Sequence, residues 1–385
     1  MIYIDKMKYI QYFLFGATIG YVSWGHTLFL SIFALFIIYS YFTIDKRLNF
    51  FFLILGYYLA GSRGLFAGTI EFYNVTIASG VYLGTALVSS LAWIICWGNS
   101  IKTKLISFGV VQLILILPPV GLISYINPII SSALLAPYTG YFGFFIITGL
   151  IAYFTHLNPQ FLRLRNLKHS FIVPIFLLVS IESQYLIKQD HMVQAINSNE
   201  LYETGTVAPI VDYTRQIKYL KDIEDSPKKI FLLPENALGY ITGTNEMIWQ
   251  NTNKTIFAGG SYMDKNNSYT NSLSLVKDGK IKSVYNQRIP VPISMWKPWS
   301  NMGAKANIWG DSIFEYNNKR YGVLICYEQL LMLPWLQTMS SGPDTILAIS
   351  NLWWARDTSI YKIEEQNIQL WALLFNKPYV FSYNK

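Results

Sequence analysis

A helical membrane bundle of about seven spans over residues 1–188, followed by an α/β sandwich around a mixed sheet over residues 189–385, is the fold that the sequence predicts. Composition is the first reason: 52% of residues are hydrophobic, 16% aromatic and only 14% charged, against ~25% charged in an ordinary soluble domain. The second is unevenness. Nearly all long apolar runs precede Lys188, whereas most Asp, Glu, Asn and Lys follow it, in a stretch the size of one compact domain.

Polar punctuation, together with the ~20 residues needed to cross a bilayer core, delimits runs at 9–25, 27–44, 48–66, 74–97, 105–125, 128–154 and 170–187. Only Gly25-His26 separates the first pair, so a count of roughly six spans is the alternative. Arg63 and Glu182 fall inside runs, where an ionisable group faces a partner, a headgroup or a cavity, or snorkels to the surface. Lys6 and Lys8, Lys46 and Arg47, Lys102 and Lys104, and Arg163, Arg165 and Lys168 occupy the N-terminus and every second connection. The positive-inside rule makes that side cytoplasmic. An odd number of crossings then puts the domain after Lys188 outside, in the periplasm if the cell is Gram-negative, with the protein in the bacterial inner membrane. The net charge of +8 is thus a topology signal, and no direct nucleic-acid partner is expected. No Ala-x-Ala cleavage site follows the first run, so that run is expected to stay as an anchor.

In the second half, apolar or β-branched runs predict strands at 191–197, 229–234, 254–260, 271–276, 281–286, 320–326, 344–350 and 378–383. Helical patterns predict helices at 209–223, 243–252, 328–338 and 359–375. Lys277-Asp278-Gly279-Lys280 is a hairpin signal, because Asp-Gly supplies the positive φ values of a type I′ turn.

Two strand ends present reactive groups. The run Val323-Leu324-Ile325 stops on Cys326, with Glu328 two residues on, and the run Ile230 to Pro234 stops on Glu235. Cys96 falls at the cytoplasmic end of the fourth run, so no disulfide with Cys326 is available. A lone thiol in an oxidising compartment is unusual. Two readings of Cys326 stand: a nucleophile, or a small buried hydrophobe ending a core strand. Metal chemistry lacks support, since His26, His156, His169 and His191 show no zinc-site spacing. A phosphate-cradling glycine motif is absent, and no cofactor is expected.

Leu233-Pro234-Glu235, Tyr285-Asn286-Gln287-Arg288-Ile289-Pro290-Val291-Pro292, Ile325-Cys326-Tyr327-Glu328 and Ile349-Ser350-Asn351-Leu352-Trp353-Trp354 follow one another in the order used by the nitrilase, or carbon-nitrogen hydrolase, superfamily. The resemblance covers essentially all of 190–385. With a helical bundle in front, the chain resembles the apolipoprotein N-acyltransferase branch. It is particularly similar to TraB-type conjugal transfer proteins, in which Pro-Val-Pro likewise runs into Ser-Met-Trp, here Ser294-Met295-Trp296. The resemblance implies a nitrilase-like αββα sandwich. It also implies catalysis by a Glu, a Lys and a Cys, in which a thiolate attacks a carbonyl and a second nucleophile resolves the thioester.

On that resemblance Cys326 is the nucleophile and Glu235 the general base, and backbone N–H groups at Cys326 or the next residue hold the oxyanion. Glu328 matches a second family glutamate; its alternative is a charge at a helix N-terminus. The family lysine is missing, because its position holds Gln287. Glutamine donates a hydrogen bond but supplies no charge, and loss of one oxyanion donor costs ~10²- to 10³-fold in rate. Arg288 is adjacent, but neighbouring side chains in an extended segment point to opposite faces; it is expected to contact substrate. Lys297, in the following loop, is another source of charge. The family's Phe-Gly-Glu after Val-Pro is replaced by Ile293-Ser294-Met295. A further strand region and a final transmembrane helix are also expected from the family, either naturally absent in the TraB-type branch or lost by truncation after Lys385.

Met295, Trp296, Trp299, Met302 and Trp309 share a loop with Lys297 and Lys305, a mixture suited either to the membrane interface or to packing on the sandwich. Trp296, Trp299, Asn351, Trp353 and Trp354 are the expected substrate contacts with Arg288. Three functions compete. The first is a membrane acyltransferase or amidase, with a membrane lipid as acyl donor and a lipoprotein or amine as acceptor. The second is an accessory protein among the conjugation envelope proteins that keeps the fold with little catalysis. The third, a tethered amidase for soluble substrates, is weakest, because a tether needs only one helix.

Overall fold

The computed structural model describes residues 2–157, 172–200, 209–266 and 268–385. The basic residues Arg163, Arg165 and Lys168, with His169, lie outside the described residues, as does the start of the run at 170–187. Two compact units divide the chain. One comprises Met1–Ile187, Leu331–Leu333 and Asp357–Asn376; the other comprises Lys188–Leu330, Pro334–Arg356 and Lys377–Lys385.

The first unit is helical: α1 (Ile2–Ser23), α2 (Leu35–Thr43), α3 (Arg47–Gly61), α4 (Arg63–Ile70), α5 (Val75–Ile95), α6 (Ile101–Ile116), α7 (Phe142–Leu157) and α8 (Ile172–Gln184). Each apolar run is helical in part, yet several are interrupted. Run 27–44 opens as a 3₁₀ segment (Leu28–Ala34), and run 128–154 carries another (Pro128–Leu134) ahead of α7. Helices α3 and α4 bend by 47° at their break. Helix α6 stops ahead of Pro118-Pro119, where the amide donors needed to continue a helix are missing. Among the described residues one helix, α5, is long and apolar enough to cross a membrane, or two if the bent α3–α4 pair is one span. Hydropathy registers where the chain is apolar, whereas helix continuity also depends on caps and breakers inside the run. At α5 the cap is Asn74, whose side chain accepts from Ile77 N at 3.0 Å.

Helices α1 and α3 touch backbone to backbone. A Cβ on Gly16 would fall 1.8 Å from the Leu53 carbonyl oxygen, and one on Gly20 2.2 Å from that of Tyr57. Such an interface gains its stability from close van der Waals contact that only small residues allow. Trp24 Nε1 then donates to Tyr57 Oη at 2.8 Å, and that hydroxyl donates to the Ile126 carbonyl at 2.7 Å. Helix Ile360–Phe375 belongs to the same unit. Gln366 Nε2 donates to the carbonyls of Ser23 (3.1 Å) and Thr27 (3.3 Å), and its Oε1 accepts from Gly25 N at 2.8 Å.

The second unit holds two sheets. In chain order its elements are β1 (Val193–Ala195), α9 (Pro209–Glu224), β2 (Ile230–Leu232), α10 (Gly243–Trp249), β3 (Thr255–Met263), β4 (Ser268–Lys277), β5 (Lys280–Asn286), β6 (Gly303–Ala304), β7 (Ile313–Tyr316), β8 (Lys319–Ile325), α11 (Met332–Ser340), β9 (Thr345–Asn351) and β10 (Tyr379–Asn384). One sheet runs β1-β2-β3-β4-β5 with β6 beside β4; the other runs β10-β9-β8-β7. Parallel pairs β1–β2–β3 and β8–β9–β10 mix with antiparallel hairpins, as the alternation of strands and helices predicts. The hairpin turn lies at Asp278 and Gly279, both at positive φ.

Between the sheets Leu232, Phe257, Leu273, Val323, Ile325, Leu347 and Ile349 form one core. A second core, around Phe231, Leu233, Trp249 and Ile256, lies between the first sheet and α9 and α10. Gly322, on the opposite face of β8 from Val323, leaves room for Thr338 of α11. Helices therefore cover the outer face of each sheet. Strand β7 and the short β6 have no counterpart among the predicted strands, because a four-residue run and a two-residue run carry too little periodicity to register.

Gly20→Ile is expected to lower the unfolding midpoint of the purified protein by the equivalent of about 1–3 kcal/mol, as overpacked sites do. Gly80→Ala in α5, where an added Cβ meets nothing within 4 Å, is expected to leave that midpoint unchanged or raise it.

Candidate active site

Strand β8 ends at Ile325, and the chain turns at once into the 3₁₀ segment Cys326–Leu330. Cys326 makes that turn at φ 50°. An L-residue rarely holds this conformation outside a site that over-determines it. The result is a thiol at the strand's tip, with the chain bent away beneath it. Strand β2 delivers Glu235 comparably: Leu233 N still pairs with the Phe257 carbonyl at 2.8 Å, and Asn236 turns at φ 62°. Close approach of β3 makes this fit. A Cβ on Gly259 would fall 2.5 Å from Glu235 Cα.

These two ends meet. Glu235 is buried, its carboxylate hydrogen-bonds the Cys326 thiol, and its Oε2 accepts from Asn351 N, at the end of β9, at 3.0 Å. Burial pushes its carboxyl up to about 7, the bonds from Cys326 and Asn351 restrain the rise, and the charge on Glu328 adds to it. A carboxyl in that range exchanges protons readily near neutrality.

Gln287 lies in the same cluster. Its Nε2 donates to the Ile325 carbonyl at 3.0 Å, and its Oε1 accepts from Asn271 Nδ2 at 3.1 Å. Asn271, on β4, also reaches Glu235 Oε1 at 3.4 Å and accepts from Ser261 Oγ at 2.7 Å. It bridges the two expected site residues, Glu235 and Gln287, and is not among the site residues expected from sequence. The available signal was an Asn inside an otherwise strand-forming run.

Glu328 and Arg288 differ from expectation. Neither side chain has any exposed surface. Glu328 accepts from Tyr285 Oη (2.9 and 2.8 Å), Arg288 N (2.7 Å), Ile289 N (3.2 Å) and Ile325 N (2.8 Å). Burial pushes its carboxyl up, against the pull of Arg288 and the backbone N–H groups. Arg288 Nε lies 3.6 Å from Glu328 Oε1 and donates to Tyr285 Oη at 2.9 Å, while its terminal nitrogens donate to Gln337 (2.8 Å) and Thr338 (3.0 Å). The substrate contact expected of Arg288 is therefore corrected to a place in the core, and Glu328 is a buried acceptor rather than a surface helix charge. Together they fix the exits of β5 and β8.

The remaining expected contacts separate. Asn351 orients Glu235 through its backbone, and its side-chain oxygen accepts from Asn384 at 2.9 Å. Trp354 Nε1 donates to the Asn351 carbonyl at 3.0 Å, and Trp353 shares its half-buried turn. Trp296 is half-buried, whereas Trp299 is 71% exposed.

Gly259→Ala is expected to displace Glu235 and slow alkylation of Cys326 by acrylamide at neutral pH while the fold persists by circular dichroism. Arg288→Met strands a buried carboxyl and is expected to cost about 3–5 kcal/mol in denaturant unfolding. Adding Glu328→Gln should recover part of that loss, because contacting residues are non-additive.

The carbon-nitrogen hydrolase family model matches residues 265–373, which include Gln287 and Cys326. The chain is 30% identical over 341 residues to a probable conjugal transfer protein TraB of Sinorhizobium fredii, covering 86% of each. With conjugal transfer protein TraB of Agrobacterium fabrum it shares 26% identity over 358 residues, covering 86% of this chain and 82% of that one. Among solved structures it is similar to a carbon-nitrogen hydrolase from Helicobacter pylori, at 13% identity and a TM-score of 0.34, over 48% of this chain and 71% of that one. Matched along most of its length by these relatives, the chain belongs to the TraB family of conjugal transfer proteins, within the carbon-nitrogen hydrolase (nitrilase) superfamily.

Proposed function

We propose that the protein is a membrane-embedded cysteine enzyme of the conjugation envelope machinery, transferring or hydrolysing acyl groups through a thioester on Cys326 at the outer face of the inner membrane. The observation that carries this reading is the hydrogen bond between Cys326 and a Glu235 raised to about 7. The carboxylate takes the thiol proton as sulfur attacks the carbonyl carbon. As the tetrahedral intermediate collapses, the bond to the leaving oxygen or nitrogen breaks, and Glu235 returns the proton to that atom. A second nucleophile, an amine or water, then releases the acyl group and restores the thiol. Backbone N–H groups at the Cys326 turn supply the oxyanion contact. Gln287 contributes position and a neutral donor in place of a cation.

Embedding of the helical unit is supported by its outward side chains. Val75 and Ile95 on α5, Ile106 and Leu113 on α6, and Phe142 and Phe145 on α7 are all exposed. A water-facing helix normally shows a polar face there, whereas lipid accepts an apolar one. The spacing of the Lys and Arg clusters supports a cytoplasmic N-terminus and an external second unit.

A second reading, an accessory protein with weakened catalysis, draws on Gln287 and on Ile293-Ser294-Met295, which stand where the family has a lysine and an acidic loop. The two readings separate experimentally. Purified protein incubated with labelled phospholipid is expected to carry an acyl adduct on Cys326 by mass spectrometry, increased ~10²-fold by Gln287→Lys. An adduct formed only after that substitution would favour the accessory reading, as would a Cys326→Ala strain that transfers DNA normally.

The pH dependence has a definite sign. Glu235 accepts a proton only when ionised, and its carboxyl lies near 7, so acrylamide alkylation of Cys326 should rise as pH increases through that value. Glu235→Gln is expected to remove this limb and slow the reaction ~10²-fold at pH 8. An unchanged profile in the variant would count against the general base.

A further inference from the structure

Between the site and the β7 hairpin the chain makes a compact excursion, Ile293 to Ala304, closed at its neck. Ala304 N donates to the Met295 carbonyl at 2.8 Å, Ile293 N donates to the Trp296 carbonyl at 2.8 Å, and Gly303–Ala304 pairs with Ser268–Tyr269 at the start of β4. The neck is tight enough to require Gly303: at φ 94° its missing Cβ would sit 2.5 Å from the Met295 carbonyl oxygen. A defined backbone thus holds out side chains that an ordinary surface would not. Trp299 is 71% exposed, Met302 62% and Ile293 47%; Met263, across β3–β4 from Tyr269, is 49% exposed.

Charge around this apolar cap is predominantly basic. Lys297 and Lys265 are exposed, and Lys305 is half-exposed. Asp264, at the neck, is already paired with Lys305 at 2.5 Å. A protein partner is a poor match for this mixture, because protein interfaces enrich Trp and Met but deplete Lys. At a bilayer surface the same residues work together. Indole and thioether groups enter the headgroup region, while lysine ammonium groups meet anionic lipid at ~1 kcal/mol each.

We infer that the Ile293–Ala304 loop is a bilayer-contact element that inserts Trp299, Met302 and Ile293 into an anionic lipid surface, with Lys265 and Lys297 on the headgroups. The inference goes beyond the thioester reading and stands whether or not Cys326 becomes acylated. Its functional consequence lies at the loop's base. Lys305 N donates to the Tyr269 carbonyl at 2.8 Å, and Asn271, two residues further along β4, donates to Glu235 Oε1 at 3.4 Å. Lipid engaged by the loop is thereby brought beside the rim of the Glu235–Cys326 site.

The test uses the full chain with Cys96→Ser and Cys326→Ser, a nitroxide at Met302→Cys, and phosphatidylcholine–phosphatidylglycerol vesicles. A label at Lys280→Cys is the aqueous reference, because the hairpin tip lies at the far end of β4 from Ser268, roughly 30 Å away. A third label at Leu87→Cys reports on α5, so failure of membrane embedding by the helical unit registers separately. The expected result is a several-fold suppression of collisions with a water-soluble nickel chelate, and enhanced collisions with oxygen, at 302 relative to 280. Lys265→Glu with Lys297→Glu should reduce that suppression in anionic vesicles and leave it unchanged in pure phosphatidylcholine. Equal nickel accessibility at 302 and 280 overturns the inference. So does shielding of 302 from both probes, which would mean that the loop packs on protein. As a second measurement, brominated lipid should quench tryptophan fluorescence less in Trp299→Phe than in the parent; equal fractional quenching argues against insertion.

Discussion

One buried carboxyl ties the site together. Glu328 accepts hydrogen bonds from the backbone at the end of β8 and from the backbone just past β5, strands that belong to different sheets. Several hydrogen bonds converge here on a group from which water is excluded, and losing any one of them would leave a buried polar atom unpaired. With Arg288 and Tyr285 completing the cluster, the exits of the two strands are held in one relative position. Cys326 extends from one exit and Gln287 from the other, so a clamp remote from solvent sets the relative geometry of these two residues.

The same packing explains the protonation of the site. Glu235 lies where two sheets and the turn after β9 converge, and loss of water raises its carboxyl toward neutrality. The bonds from Asn351 N–H and Asn271 orient the group without stripping its affinity for a proton. In the nitrilase family pattern, a lysine adds positive charge at this point. Here an amide network of Asn271 and Gln287 adjoins Glu235 and carries no charge. On the proposed thioester reading, Cys326 depends on its carboxylate neighbour for activation, and its pH profile becomes the sensitive readout.

Much of this was legible in the residue order. Strand ends at Glu235 and Cys326, the Asp-Gly hairpin and the helices near 209–223 and 359–375 follow from local pattern, and they agree with the elements to within a few residues. Less legible was the role of charged residues. Arg288 and Glu328 look like site residues because they flank the motif, and only the fold shows that both are enclosed and paired with each other. Asn271 was overlooked for the converse reason: a lone amide in a strand announces nothing until its neighbours on β2 and past β5 are known.

By itself the sequence determined which segments are apolar, where strands stop, and which reactive groups stand at those stops. These are local properties, set by periodicity, turn chemistry and side-chain type. Tertiary structure decided which stops meet. It set the positive φ at Cys326, the removal of Arg288 and Glu328 from solvent, and the assignment of helix Ile360–Phe375 to the helical unit. Those outcomes depend on contacts between residues far apart in the chain, and their energies arise only when the distant segments have packed and expelled water.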